Sequence, residues 1–322
     1  MDYSMFVSEA KYKYYYNLLN ASHKLVYDAL LRGYLAQDAV IFVDIENPQD
    51  IFKISNYVLF DIPEIFYLIK IKIRYSEITT RVKVIPEYRF STEKRDQVFA
   101  QLMNRAHHIE EYAQKLSGDM AKVKFFHDYL VEYVTYKDPD IRYSHELPGA
   151  LLYGVAVCEG ISKAFKFFCD RASIKCILVT GKSSEDADCG HAWNIVYVNN
   201  IPFHIDVTFD NNLTKDGNIR YDYYLLSDKQ ISSNHIFNNM PDCTVNYEFY
   251  QYVKNRIEFE KILMNAQFKV PLVLKLPEIV GSDALEILKP SIDKILAQRY
   301  SSYRYSYSIN IHRKIFQLSL KR

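Results

Sequence analysis

The chain has 322 residues, with 40 Lys and Arg against 39 Asp and Glu, so its formal net charge is +1. A balance this close to neutral provides no field that would attract nucleic acid or an anionic membrane. The sequence contains no apolar run long enough to span a bilayer and no apolar signal-peptide core at its start. We therefore predict a cytoplasmic protein with no nucleic-acid or membrane partner, and its length predicts two or three domains.

The first 117 residues are predicted to form a separate unit that mixes helices with one hairpin. The segment LIKIKIRY alternates strictly between apolar and polar residues, and RVKVIPEY does so nearly as well, which is typical of two half-buried strands. The predicted elements are a helix over 23–37 capped by Ser22, a helix from Pro48 to about Phe60, strands over 68–75 and 81–88, and a helix over 92–116.

Residues 118–243 are predicted to form the core that carries the chemistry, and Cys158 lies at the start of one of its helices. Apolar residues follow it at the i, i+3, i+4 spacing of an amphipathic helix. The free N–H groups of a first helical turn favour a thiolate over a thiol. Gly154 and Gly160 flank the cysteine and are expected to leave backbone space near the sulfur. Cys158 is therefore a candidate nucleophile.

His191 and Asp206 lie in two β-rich segments, HAWNIVYV and IPFHIDVTF, which are joined at Asn199-Asn200. A two-residue turn there would form a hairpin with Ile195 opposite His204. His191 and Asp206 would then share a face, two positions apart on a diagonal that side chains can span. A carboxylate beside an imidazole fixes its tautomer and stabilises the imidazolium.

Three separated motifs together resemble the transglutaminase-like superfamily, in particular its bacterial branch. They are VCEGISKAF around Cys158, GHAWNIV around His191 and HIDVTFD around Asp206. The segments KVKFFHDYLVEYVTY before them and YDYYLLSDKQISSNH after them are also similar, so the resemblance covers roughly residues 118–236. It implies an α+β, papain-like fold in which a helix bearing the cysteine packs on an antiparallel sheet.

The resemblance implies a role for each matching residue. Cys158 would be the nucleophile, His191 the general base and acid, and Asp206 the residue that orients the imidazole. Two positions differ from the branch: Ile161 stands where an aromatic residue is frequent, and Phe209 where Trp is frequent. Both differences concern the substrate pocket rather than the triad.

Several contacts with substrate stay open at the level of sequence. The backbone N–H of Cys158 is the natural first donor to an oxyanion, and Tyr136 is a candidate for the second. Trp193, the only tryptophan, either shields the triad from water or fills the core. His204 and His127 are interpreted as packing or capping histidines.

Cys189, His191 and His204 are close in sequence and have side chains that can bind a metal, so a metal site is an alternative. Zinc sites usually show paired ligands at short fixed spacing, such as C-x-x-C, and the chain contains none. We therefore predict no metal and no cofactor. The five cysteines are odd in number and scattered, which indicates free thiols in a reducing compartment, with Cys189 in an exposed loop.

Residues 244–322 are predicted to form a small C-terminal α/β unit with no recognisable chemistry. Its elements follow the order helix, strand, helix, strand, strand: helices over 256–266 and 284–298, and strands within FKVPLVLKL, YRYSYSINI and KIFQLSL. A lid, a recognition module, a dimer contact and a structural cap are all compatible with this pattern.

Two functions from different classes follow from these observations. The first is an enzyme that attacks peptide or glutamine-type amides through a thioester on Cys158, with hydrolysis, deamidation or crosslinking as the outcome. The second is a non-catalytic protein-binding module on the same scaffold. An arylamine acetyltransferase uses the same residue order, but its expected glycine-rich approach to the cysteine is not matched by GVAVCEG. The predicted partner is a protein or peptide substrate.

Overall fold

The structure is a computed structural model that describes residues 12–76, 78–137, 143–183, 186–215, 217–247, 249–268, 270–277 and 283–321. The side chains of residues 186–189 and 284 also lie outside the described part, so the prediction for Cys189 is not addressed. The fold is α+β with mainly antiparallel sheets, as predicted. Among the described helices, none is both long and apolar enough to cross a bilayer.

The N-terminal part packs four helices around a three-stranded antiparallel sheet of order β1-β3-β2. The predicted hairpin is confirmed, since its strands occupy the expected residues. The first long helix is capped by Asn20, whose side chain accepts from the His23 N–H at 2.9 Å, and not by Ser22. The elements are α1 (Tyr14–Asn17), α2 (Ala21–Ala36), β1 (Ile41–Asp44), α3 (Asp50–Asp61), β2 (Leu68–Tyr75), β3 (Arg81–Tyr88) and α4 (Thr92–Ala113).

The central part packs helix α6 against a four-stranded antiparallel sheet of order β8-β7-β6-β9. Its helices are α5 (Gly118–Tyr133), α6 (Cys158–Arg171), α7 (Val207–Leu213) and α8 (Asp228–Ile231), with a π-helical turn over Gly149–Tyr153. Its strands are β4 (Thr135–Tyr136), β5 (Val155–Ala156), β6 (Cys176–Ser183), β7 (Asp186–Val198), β8 (Ile201–Ile205) and β9 (His235–Ile236). A helix that starts with Cys158 and packs on this sheet is the arrangement the resemblance implied.

The hairpin of β7 and β8 has the predicted two-residue turn. Asn199 and Asn200 both have positive φ, 51° and 64°, as a type I′ turn requires. The register places Ile195 opposite His204, as expected. The two-residue turn therefore sets the register of β7 and β8, and the register determines which face of the sheet each side chain occupies.

The second strand of the hairpin is shorter than predicted. β8 ends at Ile205, and Asp206 caps α7 by accepting a hydrogen bond from the Phe209 N–H at 3.0 Å. The β-branched run after Asp206 suggested a continuing strand, but the aspartate cap begins a helix there. The Asp206 side chain is therefore held by the first turn of α7.

The C-terminal part forms a four-stranded sheet of order β10-β11-β13-β12 with two helices. Its elements are β10 (Gln251–Tyr252), α9 (Arg256–Leu263), β11 (Leu272–Lys275), α10 (Ala284–Arg299), β12 (Arg304–Asn310) and β13 (Ile315–Lys321). It has its own apolar core between Val253 and Leu320. In contrast, one continuous core runs from Val26 to Leu225, through both the N-terminal and the central parts. The boundaries after residues 117 and 243 stay predictions.

Candidate active site

Cys158 is the first residue of α6 and is half-buried. Val157 precedes it in an extended conformation with no side-chain cap, so the first-turn N–H groups have no side-chain acceptor from that residue. Gly160 has a different role from the predicted one. A Cβ there would lie 2.3 Å from the Ser144 carbonyl oxygen, so the glycine allows the preceding loop to pack against the helix rather than leaving space at the sulfur.

His191, on β7, is hydrogen-bonded to Asp206. The distance from Nε2 to Oδ2 is 2.6 Å, and both side chains are buried. Burial would raise the pKa of Asp206, but the charge and hydrogen bond of His191, with a further bond from His235, hold it well below its usual range. Asp206 is therefore a carboxylate at neutral pH.

The protonation of His191 follows from the same contacts. Burial would lower its pKa, but the charge and hydrogen bond of Asp206, followed by the interaction with the Cys158 thiol, raise it to about 10. Nε2 is bonded to Asp206, and the Cys158 thiol also interacts with the ring. The imidazole that both groups contact is cationic at neutral pH.

His235 is a second imidazole on the same carboxylate, and it is not among the site residues predicted from the sequence. Its Nε2 lies 2.9 Å from Asp206 Oδ2, and its Nδ1 lies 2.9 Å from Asn234 Oδ1. Two ligands of one tetrahedral zinc would lie roughly 3.3 Å apart, whereas Asp206 Oδ2 is 2.6 Å and 2.9 Å from the two imidazoles. These are hydrogen-bond distances. The only signal in the sequence was that His235 ends the similar segment YDYYLLSDKQISSNH.

The thiol and His191 line an open cleft of about 710 Å³. One wall comes from the N-terminal part, where Asn56 and Phe60 project from α3. The floor is formed by Thr180 and Gly181 of β6. The predicted first unit therefore contributes directly to the space that a substrate would occupy.

An ion-pair network borders the cleft on the side of α6. Lys163 is buried and contacts Glu159 and Glu146, each at 2.9 Å, and His145 Nδ1 lies 3.1 Å from Glu159. Burial would raise the pKa of Glu159, but the charge of Lys163, with bonds from His145 and Lys163, lowers it to about 2. Glu159, the residue after Cys158, is therefore an ionised carboxylate whose charge is balanced by Lys163, and the loop that carries His145 holds it at the cleft.

Tyr136 and Trp193 are the residues predicted to contact substrate or an oxyanion. Tyr136 pairs with Ala156, two residues before Cys158, and 41% of its surface is exposed, so its role as the second donor stays a prediction. Trp193 is fully buried, and its indole N–H donates to His204 Nδ1 at 3.0 Å. The structure therefore places Trp193 in the core, and its N–H is not available to a substrate.

His204 belongs to a second cluster with Asp228 and Cys243. Because Trp193 donates to Nδ1, the proton lies on Nε2, which donates to Asp228 Oδ1 at 2.8 Å. Asp228 Oδ2 in turn accepts from the Cys243 backbone N–H at 2.9 Å. Both nitrogens of the imidazole are occupied, which is the structural role predicted for His204 and leaves no ligand atom for a metal.

His127 also has a structural position. It is fully buried on α5, with Nδ1 2.9 Å from Asp128 and Nε2 3.1 Å from Asp210. Asp210 belongs to α7 and also accepts from the Tyr223 N–H at 3.0 Å. His127 therefore connects α5 to the helix that Asp206 begins.

Comparisons with known proteins agree with the motifs. Residues 107–207 match the sequence profile of the Transglutaminase-like superfamily. No curated protein matches the chain. Three solved structures are similar at low identity. A candidate cysteine protease from Cytophaga hutchinsonii is 13% identical, with a TM-score of 0.30, over 44% of this chain and 62% of that one.

The second is described as a TGase and is 17% identical, with a TM-score of 0.31, over 66% of this chain and 57% of its own. A candidate protease from Parabacteroides distasonis is 8% identical, with a TM-score of 0.28, over 77% and 60%. The chain spans less than two thirds of the length of each. The resemblance to the transglutaminase-like superfamily is thus confirmed over the segment that contains Cys158, His191 and Asp206.

Proposed function

We propose that the chain is a thiol-dependent acyl-transfer enzyme that acts on peptide or glutamine-type amides. The observation that carries the proposal is the position of His191, with Asp206 at 2.6 Å from Nε2 and the Cys158 thiol interacting with the same ring. A cationic imidazole beside a sulfur at a helix start stabilises the thiolate, which is the nucleophilic form.

The reaction proceeds in two balanced steps. The Cys158 thiolate attacks the amide carbonyl, and the carbon–nitrogen bond breaks as His191 gives its proton to the departing nitrogen, so that a thioester and an amine or ammonia result. Neutral His191 then takes a proton from water or from an incoming amine, which attacks the thioester; the carbon–sulfur bond breaks, and the Cys158 thiolate and the cationic imidazole are restored. Water gives hydrolysis or deamidation, and an amine gives an isopeptide bond. Asp206 holds the ring and stays ionised throughout.

The test compares two cysteines of the chain. Glutamine-containing peptides are incubated with the protein, with and without an added amine, and intact-protein mass spectrometry records an acyl group on Cys158. We expect Cys158→Ala to abolish both the adduct and turnover, while Cys243→Ala, which removes a buried thiol, retains them. Iodoacetamide at neutral pH should also label Cys158 faster than a free peptide thiol.

Two results would contradict the proposal. A Cys158→Ala variant that keeps most of the turnover would exclude this thiol as the nucleophile. Labelling of Cys158 no faster than a peptide thiol, with no adduct from any amide, would favour the alternative of a non-catalytic binding module.

A further inference from the structure

A second, larger pocket continues from the Cys158 cleft. It has an empty volume of about 1030 Å³, and three of the residues that line it, Phe60, Thr180 and Gly181, also line the cleft at the thiol. The two spaces therefore adjoin at these residues, and together they are called the groove. The groove runs across the exposed part of β6, from Cys158 at one end to the segment that follows β9 at the other.

The far end of this groove is lined by large apolar side chains. Leu18 is 53% exposed and Ile236 is 63% exposed. Tyr57, Phe237 and Met240 also line it and are half-buried. A contiguous group of exposed apolar side chains that borders a reactive thiol is a mark of a binding site rather than of ordinary surface.

Packing holds the lining in place. Tyr15 contacts Tyr57 with ring centroids 4.7 Å apart, and its hydroxyl donates to the Leu178 carbonyl oxygen at 2.6 Å. On the other side, Phe237 stands edge-on to Trp193, with centroids 5.9 Å apart. Because these contacts fix the aromatic residues on both sides, the pocket is formed before any ligand arrives.

Gly181 allows the backbone of β6 to pack closely against its neighbours below the groove. A Cβ at this position would lie 2.2 Å from the Ile236 carbonyl oxygen and 2.8 Å from the Trp193 ring. The backbones of β6 and β9 can therefore approach each other this closely only with a glycine at position 181. This close approach sets Ile236 beside the floor over which a substrate would pass.

We propose that this pocket is a subsite for a large aliphatic or aromatic side chain of a peptide substrate, located near the amide that Cys158 attacks. The inference rests on the proposed function and names its substrate class: extended peptide segments in which an apolar residue accompanies the reacting one. Because the pocket adjoins the Cys158 cleft, an extended peptide that lies in the cleft can place a neighbouring side chain in the pocket, which favours a substrate as the occupant. The exposed side-chain amides of Asn56 and Asn238 line the same groove and offer donors and acceptors to a peptide backbone, which a lipid chain does not need.

The test measures binding without chemistry. The protein carries Cys158→Ala, and the fluorescence of Trp193, its only tryptophan, reports ligands at Phe237. Matched glutamine peptides differ only in whether one residue near the glutamine is Phe or Ser, and a series moves this residue along the peptide. We expect the best Phe peptide to bind at least about tenfold more tightly than its Ser partner.

A surface variant then tests the location. Ile236→Ser, combined with Cys158→Ala, should reduce the ratio of the two affinities toward one. Ile257→Ser on α9, a residue 67% exposed outside the groove, is the matched control and should leave the ratio unchanged. Equal affinities for Phe and Ser at every position, or a ratio that Ile236→Ser does not change, would overturn the inference. So would a loss of self-association in Ile236→Ser, because a second copy of the chain would then be the occupant.

The two proposals fail in different ways. A peptide preference in the absence of turnover by the unmodified protein would retain the subsite and contradict the enzyme. Turnover of Phe and Ser peptides with equal kcat/KM would retain the enzyme and contradict the subsite.

Discussion

Two sets of Cys, His and Asp each take their histidine from the β7–β8 hairpin, and they differ in almost everything except residue type. In the first set, His191 is bonded to Asp206, its pKa is raised to about 10, and Cys158 borders an open cleft. In the second, burial lowers the pKa of His204 to about 4, against the opposing effect of Asp228. The Cys243 thiol is buried, and desolvation raises its pKa to about 12.

Trp193 lies between the two sets and accounts for much of the difference. Its ring stacks near His191, with centroids 5.7 Å apart, and its N–H donates to His204 Nδ1. Because Nδ1 of His204 accepts this bond, its one proton lies on Nε2 and is donated to Asp228. Neither nitrogen of the ring is then available to accept a proton from a thiol. Residue type alone therefore does not make a triad. The imidazole must have a nitrogen that can exchange a proton with the thiol, and the thiol must be accessible to a substrate.

The largest effect that separates the two sets is expected from their carboxylates. Asp206→Asn should lower turnover by about 10²–10⁴-fold, because an amide can favour the wrong tautomer of His191 and no longer stabilises its cation. Asp228→Asn removes the corresponding carboxylate beside His204 and should leave turnover within a few-fold. Similar effects of both substitutions on kcat in a folded protein would contradict the distinct roles assigned to Asp206 and Asp228.

A smaller effect is expected at His235, which shares Asp206 Oδ2 with His191. His235→Leu removes a hydrogen bond that holds the carboxylate in place, and we expect a loss of about tenfold in kcat with little change in KM. His235→Gln can donate to the carboxylate again and should recover most of the activity. Equal losses in both variants would show that His235 only fills space.

The smallest effect concerns protonation and can be seen without any substrate. In an NMR titration, His191 should stay protonated up to about pH 10, and His204 should stay neutral down to about pH 4. The signs of the linked stabilities are opposite. The contribution of His191 to the free energy of unfolding is complete below about pH 6.5 and is lost as the pH rises through about 10.

For His204 the neutral form is the stable one, so its contribution is complete above about pH 6.5 and is lost as the pH falls through about 4. The free energy of unfolding is measured against pH for the unmodified protein, for His191→Gln and for His204→Gln. The difference between the unmodified protein and each variant gives the contribution of that histidine. Parallel curves for the two variants would contradict the assignment of opposite charge states.

Local patterns were sufficient to predict most of the fold. Strict alternation located β2 and β3, and the Asn199-Asn200 turn gave the register of β7 and β8. The end of β8 was wrong because β-branched residues after Asp206 favour a strand, whereas the capping bond to the Phe209 N–H decides for a helix. Which of two nearby polar residues caps α2 was likewise decided by geometry that the sequence does not display.

The candidate site was predictable where its residues are close in sequence and unpredictable where they are not. The hairpin brought His191 and Asp206 together, as its register required. His235 reaches the same carboxylate from 29 residues further along, through a strand of only two residues. The pairing of His204 with Asp228 and Cys243 is of the same long-range kind, since α8 and the segment after it place those groups. No period or spacing indicates such contacts.

The two residues of β9 face opposite sides of the chain, and this alternation links two processes that are usually described separately. His235 is buried against Asp206, while its neighbour Ile236 is exposed on the groove. Under the proposed function, a substrate side chain that contacts Ile236 would touch the same two-residue strand that carries the bond to Asp206. We therefore expect binding energy from a part of the substrate that does not react to help align the imidazole, so that a peptide without the apolar residue loses rate as well as affinity.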